Sequence, residues 1–167
     1  MKTLCLLRHA HSEPAASVDV DDHDRVLSVR GLMEAENVGA FMKEQNILPD
    51  ALFCSSSIRT RETARIALSG LFKGGMDSIA SRFDRDLYLA PPDIIADEIR
   101  EADDRFSRLL VVGHNPGFED LAEKLARAGG EVIGKFPPSA LAVFACDIDK
   151  WRDFSAKKTK LTTVFMP

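Results

Sequence analysis

The sequence predicts an α/β domain, a mainly parallel sheet with helices packed on both faces. Three observations carry that expectation. Short apolar runs at residues 3–7, 51–54 and 108–112 each halt abruptly in a polar cluster, as buried strands do when they deliver side chains into loops. A helical pattern follows each of the three. The chain also lacks internal repeats, linkers and low-complexity tracts, so its 167 residues read as one domain without a cap.

The first run ends by handing Arg8 and His9 to a loop. Residues 10–26 are loop-like, with Pro14 and the acidic cluster Asp19, Asp21, Asp22 and Asp24. A helix is expected over about residues 31–45, with Leu32, Ala35, Val38, Phe41 and Met42 on one buried face, Ser28 as its cap and Pro49 beyond its end. The second strand, 51–54, runs into Ser55, Ser56 and Ser57, one of which caps a helix over 59–72 that Gly74 and Gly75 end. A weaker strand lies within 79–87, and Pro91 and Pro92 open a helix through Glu101. The third clear strand, 108–112, ends at Gly113, His114, Asn115 and Pro116. The helix after it, 117–127, aligns Phe118, Leu121 and Leu125. Residues 141–146 and 161–165 read as closing strands, the latter at a sheet edge.

Composition excludes several classes. A net charge of −4 leaves no broad basic face for nucleic acid. The apolar runs are too short to span a bilayer, and the N-terminal one is cut off at Arg8 before it could serve as a signal peptide. Cys5, Cys54 and Cys146 are odd in number, widely spaced and outside any CxxC, which suits a reduced, cytoplasmic protein.

Chemistry concentrates at the strand ends. Of four histidines, His9 and His114 follow predicted strands, Arg8 precedes His9, and Arg59 stands near a helix start after the second strand. Ligands of open α/β sheets bind at the carboxyl ends of the strands. If the three strands are neighbours, two guanidiniums, two imidazoles and a helix N-terminus converge into a pocket suited to a phosphoryl group. Taken singly, each is an ordinary loop, surface charge or turn.

Together these residues resemble a known family. Leu6-Leu7-Arg8-His9-Ala10 is similar to the LxRHG/A signature of the histidine phosphatase (phosphoglycerate mutase-like) superfamily. The stretch from Ser55 to Ala64 resembles its S-x-x-x-R-x-x-[QE]-T-A motif, Val111 to Pro116 its strand followed by Gly-His, and Asp24 to Gly31 its D-R-x-L-[ST]-x-x-G helix entry. The resemblance runs from Leu4 to about Leu121, and the short length and Gly-His-Asn-Pro wording are most similar to the small SixA-type branch, which dephosphorylates phosphohistidine in proteins.

The resemblance implies a mechanism. His9 would attack phosphorus to give a phosphohistidine enzyme, Arg8 and Arg59 would clamp the phosphoryl oxygens, and His114 would donate to them as an imidazolium. Water would then release inorganic phosphate, with no metal or other cofactor. The acid that protonates alkoxide leaving groups in many members has no unambiguous counterpart in residues 84–90. Asp22, Asp24 and Asp86 are the candidates. A phosphoimidazole needs less help, because imidazole nitrogen titrates near pKa ~6.5 and leaves neutral. The expected substrate is therefore phosphohistidine on a protein partner, for which an uncapped pocket leaves access. The alternatives are a small-molecule phosphomonoesterase and, from another class, a non-catalytic phosphate-binding module. The family's polar donor six residues after the nucleophile is Ala15 here.

Other signals are weaker than they look. Cys54 is not spaced from Arg59 or Arg61 as in the C-x5-R loop of cysteine phosphatases, and reads as a buried strand residue. Residues 129–135 match G-x-x-x-x-G-K but follow a helix and precede Phe136, so they read as a turn. A Ca²⁺ loop starting at Asp19 would need Glu where Arg30 stands. His11 is expected at the rim of the site or on the surface.

Overall fold

The computed structural model describes residues 1–14 and 21–167. In chain order these form β1 (Lys2–Arg8), α1 (Val29–Glu44), β2 (Ala51–Ser55), α2 (Ile58–Ser69), β3 (Ala80–Asp84), α3 (Pro92–Arg100), β4 (Arg108–Gly113), α4 (Gly117–Ala128), β5 (Leu141–Cys146) and β6 (Thr159–Phe165). One six-stranded sheet joins them in the order β3-β2-β4-β1-β5-β6. The first four are parallel neighbours, while β5 runs antiparallel to β1 and to β6. This is the predicted α/β architecture, with β6 paired only to β5 at one edge.

The two-residue period of a strand explains the continuous apolar runs. Cys5 and Leu7 of β1 join Leu52, Cys54, Leu110 and Val112 against Val38 and Met42 of α1 and Ala64, Ala67 and Leu68 of α2. Leu4 and Leu6 point the other way, with Phe53, Leu109 and Val111, against Ile95 and Ile99 of α3 and Leu121 and Leu125 of α4. Both sides of the central strands are therefore core, and each fully buried leucine contributes about 1.5–3 kcal/mol. The weak β3 is the other edge, with Phe83 partly exposed. Among the described residues no helix is long and apolar enough to cross a membrane.

Local signals behave mostly as predicted. Ser28 caps α1, its Oγ accepting the Gly31 N–H at 3.1 Å. Ser57 occupies the cap position of α2, but its hydroxyl bonds Thr60 Oγ1 at 2.7 Å instead of a backbone N–H. One assignment is corrected: Leu32 is exposed. The inward stripe of α1 is Gly31, Glu34, Ala35, Val38, Gly39 and Met42, and Leu32, one residue or about 100° round from Gly31, falls on its outer flank. Gly31 is required there, because a Cβ would lie 1.9 Å from the His11 carbonyl oxygen. That close approach ties α1 to the loop leaving β1.

Candidate active site

The strand order answers the question the sequence left open. β4 lies between β1 and β2, with Arg8 opposite Gly113 and Cys54 opposite Val112, so the three polar strand ends finish side by side. Arg8, His9, Arg59 and His114 are brought together at this edge, where α2 and α4 also begin. Gly113 allows the packing: a Cβ on it would stand 2.3 Å from the buried Phe118 ring.

His9 is half-buried, and its ring lies 5.2 Å from that of His114. Its Nδ1 faces the Ala10 carbonyl at 2.7 Å, and since a carbonyl only accepts, Nδ1 carries the proton. Burial, with repulsion from Arg59, Arg8 and Arg25, pulls the His9 pKa down to about 4. The ring is therefore neutral at physiological pH and keeps a free lone pair on Nε2. Its backbone is fixed as well, His9 N–H donating to Gly113 at 3.0 Å.

Arg8 is aimed from across the fold. Its Nη1 donates to the Phe136 carbonyl at 2.9 Å, which also accepts from Asn115 Nδ2 at 2.9 Å. The Phe136 N–H donates to Glu119 at 2.8 Å, and Asn115 Nδ2 reaches the same carboxylate at 3.1 Å. Arg8 Nε and Arg59 Nε are both buried and, among the described residues, without an acceptor. Two unsatisfied guanidinium donors in one pocket are a ready anion seat.

Arg59 is buried at 3 % exposure and engages Asp22 twice, through the backbone carbonyl on Nη1 and through Oδ2 on Nη2 at 2.9 Å. Tyr88 Oη donates to the same Oδ2 at 2.5 Å, and Arg25 Nη1 to Oδ1 at 2.8 Å. Arg59 Nη2 also lies 3.3 Å from His114 Nδ1. A guanidinium cannot accept, so Nδ1 is the acceptor and Nε2 holds the proton, donating to Ser55 Oγ at 2.8 Å. Burial first, then His9 and Arg59, pull the His114 pKa down to about 2. In the free site His114 is therefore neutral, because a dry surrounding and the Arg59 cation disfavour a further charge; the expected imidazolium is one that the bound phosphate's own charge would stabilise.

The candidate acids separate. Asp22 is ionised, held well below the usual carboxylate range first by the Tyr88 hydroxyl and then by Arg25 and Arg59. Asp24 is an exposed partner of His23. Asp86 stands with Asp84 and Glu98, their carboxylate oxygens within 4.8 Å of one another. Cys54 is fully buried with its thiol pushed up to about 12 by desolvation, a strand residue as expected. His11 sits partly exposed, its Nδ1 2.7 Å from the buried Glu34. Residues 129–130 form the expected turn, and 131–135 continue as an irregular loop whose Ile133 and Gly134 N–H groups donate to Glu123. Ala15 and Asp19 lie outside the described residues.

Several site residues escaped the sequence reading. Tyr88, the only tyrosine, packs edge-on to His114 at 5.2 Å; its uniqueness, just after the charged run Asp84-Arg85-Asp86, is the one available signal. Ser55, a helix-cap candidate by sequence, instead accepts the His114 Nε2–H through its Oγ. Glu34 carries no motif in the sequence, yet it is buried and binds His11 and Arg30, with Ser139 Oγ at 3.4 Å. The Phe136 carbonyl had no sequence signature.

A parallel-sheet edge bearing this Arg-His, Arg and His set defines a phosphoryl-transfer enzyme, and comparison with known proteins identifies its class. Residues 4–74 match the histidine phosphatase superfamily (branch 1). An uncharacterized protein of Mycobacterium tuberculosis is 36% identical over 144 residues, 82% of this chain and 85% of its own. A structure from Nakamurella multipartitia, assigned as the phosphohistidine phosphatase SixA, superposes with a TM-score of 0.81 at 28% identity, covering 99% of this chain and 96% of that one. One from Agrobacterium tumefaciens, with the same assignment, shares the fold at TM-score 0.79 and 24% identity, over 99% and 98% of the two chains. The chain belongs to the histidine phosphatase superfamily and is an enzyme of it. Within that superfamily it is of the small SixA type.

Proposed function

We propose that the protein is a metal-independent phosphatase that removes phosphate from phosphohistidine on a protein partner. The observation that carries this reading is geometric: the Ala10 carbonyl holds His9 Nδ1–H and leaves Nε2 its lone pair, while the Asp22 carboxylate accepts from Arg59, Arg25 and Tyr88 and so stays ionised. The nucleophile is ready, while the carboxylate nearest Arg59 has no proton to give an alkoxide. A phosphoimidazole protonated on its far ring nitrogen brings its own proton and leaves as neutral imidazole.

In this reading His9 Nε2 attacks phosphorus as the donor's N–P bond breaks, giving phospho-His9 and free imidazole. Arg8 and Arg59 take the phosphoryl oxygens, supplying the positive charge a metal supplies elsewhere. Once the phosphate's negative charge is present, His114 gains reason to protonate and donate to the same oxygens. Water then adds to phosphorus as the P–Nε2 bond breaks, releasing inorganic phosphate. The orientation of Nδ1–H by the Ala10 carbonyl keeps Nε2 as the attacking atom in every turnover.

A groove of about 510 Å³ lined by Tyr88, Leu89, Pro91 and Ile94, among others, supports a protein-sized substrate. Leu89 and Ile94 are exposed in it, beside the tyrosine that packs on His114. The reading of residues 1–167 as one domain without a cap belongs to the same proposal, supported by the single sheet. So does a cytoplasmic location, supported by three buried, unpaired thiols.

The test is to trap ³²P on the protein and compare donors. Acid-labile label on His9, absent in His9→Ala, with phosphohistidine protein preferred over alkyl phosphates by kcat/KM, is the expected result. Preference for the esters would replace the reading with a small-molecule phosphomonoesterase. A protein that binds phosphate but never becomes labelled would be a binding module.

A further inference from the structure

Building on the phosphatase reading, we propose that Asp22 is a binding-site residue that competes with phosphate for Arg59 and so speeds release of the product. Its carboxylate holds Arg59 Nη2, while Arg59 Nε is left without an acceptor among the described residues, so a phosphoryl group that grips the guanidinium at both edges must displace the carboxylate from Nη2. A carboxylate and a phosphoryl group offer a guanidinium similar oxygens, so both cannot occupy the Nη2 donor that Asp22 Oδ2 holds at 2.9 Å.

The partners are unequal in freedom, which decides the one that moves. The Arg59 side chain is 3% exposed and anchored on α2, whereas the Asp22 side chain is 46% exposed on a single 3-10 turn over Asp22–Asp24. Tyr88 and Arg25 steady the carboxylate from its other sides. The same Arg59 Nη2 is within 3.3 Å of His114 Nδ1, so the seat Asp22 occupies adjoins both groups that would hold the phosphate. The Asp22 carbonyl contacts Arg59 Nη1 independently of the side chain, and this contact keeps the guanidinium aimed when the carboxylate leaves.

The consequence is a site that pays for binding any anion with an internal ion pair. Free phosphate gains least, since its binding energy comes almost wholly from the clamp. A phosphorylated protein meets the same cost but adds contacts of its own outside the pocket, so it still binds while the product phosphate is held weakly and departs. Three roles for Asp22 predict different responses to Asp22→Asn, which removes the charge and keeps the backbone contact. A competitor, once discharged, lets phosphate bind tighter. A residue that orients Arg59 makes binding weaker when neutralised, and a proton donor leaves it unchanged.

Orthophosphate should be titrated calorimetrically onto the full chain. Asp22→Asn is expected to lower its Kd about tenfold or more, the scale of removing a like charge a few ångströms away. Tyr88→Phe, which loosens the carboxylate without discharging it, should give a smaller gain in the same direction. Unchanged or weaker phosphate binding by an Asp22→Asn protein with native circular dichroism would overturn the proposal. Should the unmodified protein bind orthophosphate no better than Arg59→Ala, the phosphate pocket itself, and with it the proposed function, fails instead.

Discussion

Acid should destabilise this protein through His9, the proposed nucleophile. The His9 pKa falls from 6.5 in the unfolded chain to about 4 in the fold, so the unfolded state binds the proton more tightly. The sign follows directly: this contribution is fully present above pH 6.5, erodes as pH falls, and is lost as pH passes through about 4. Integrating between pH 7.5 and 5 with those two values gives a loss of about 2 kcal/mol from His9 alone. Urea unfolding at the two pH values, for the unmodified protein and for His9→Asn, measures it. The variant should lose about 2 kcal/mol less than the parent over that interval. Equal losses would refute the neutral, desolvated His9 on which the nucleophile argument stands.

Three further outcomes are expected. Gly31→Ala should destabilise by about 1–3 kcal/mol in denaturant unfolding, because backbone must yield where a Cβ meets the His11 carbonyl at 1.9 Å. Leu89 is 51% exposed at φ +52°, a strained conformation for a branched residue, so Leu89→Gly should hold or raise Tm. The same variant should lower kcat/KM about tenfold for a phosphohistidine protein and leave a small phosphoramidate unaffected; an equal loss on both would deny Leu89 a docking role. Finally, the folded protein at pH 8 should resist a disulfide thiol reagent, since Cys5, Cys54 and Cys146 are all pushed up to about 12, and should react at three thiols once denatured.

The legible parts of the molecule were those written in contiguous residues. Residues 3–7 and 108–112 announce buried strands because both faces of each are core, and Ser28 announces α1 because its hydroxyl has one local job. Arg8, His9, Arg59 and His114 could be nominated from strand ends, but their meeting depended on β4 lying between β1 and β2, which no local pattern encodes. Contacts closed over long separations were hidden for the same reason. Glu34 reaches back to His11, Tyr88 reaches Asp22, and a main-chain carbonyl at Phe136 steers Arg8. Charge state was hidden too: the His114 proton depends on how many cationic neighbours the fold gathers, and Leu32 shows a periodic pattern locating a buried face only to within one residue.

The strand order also sets what the chain holds before its sheet is complete. The first seventy-odd residues carry Arg8, His9 and Arg59, yet β1 and β2 are not neighbours. In the folded protein β4, residues 108–113, fills the place between them, about 4.8 Å from each, and brings His114. Arg8 depends on a peptide farther on still, 128 positions downstream. A chain that lacks β4 therefore carries His9, the proposed nucleophile, without the proposed clamp assembled around it.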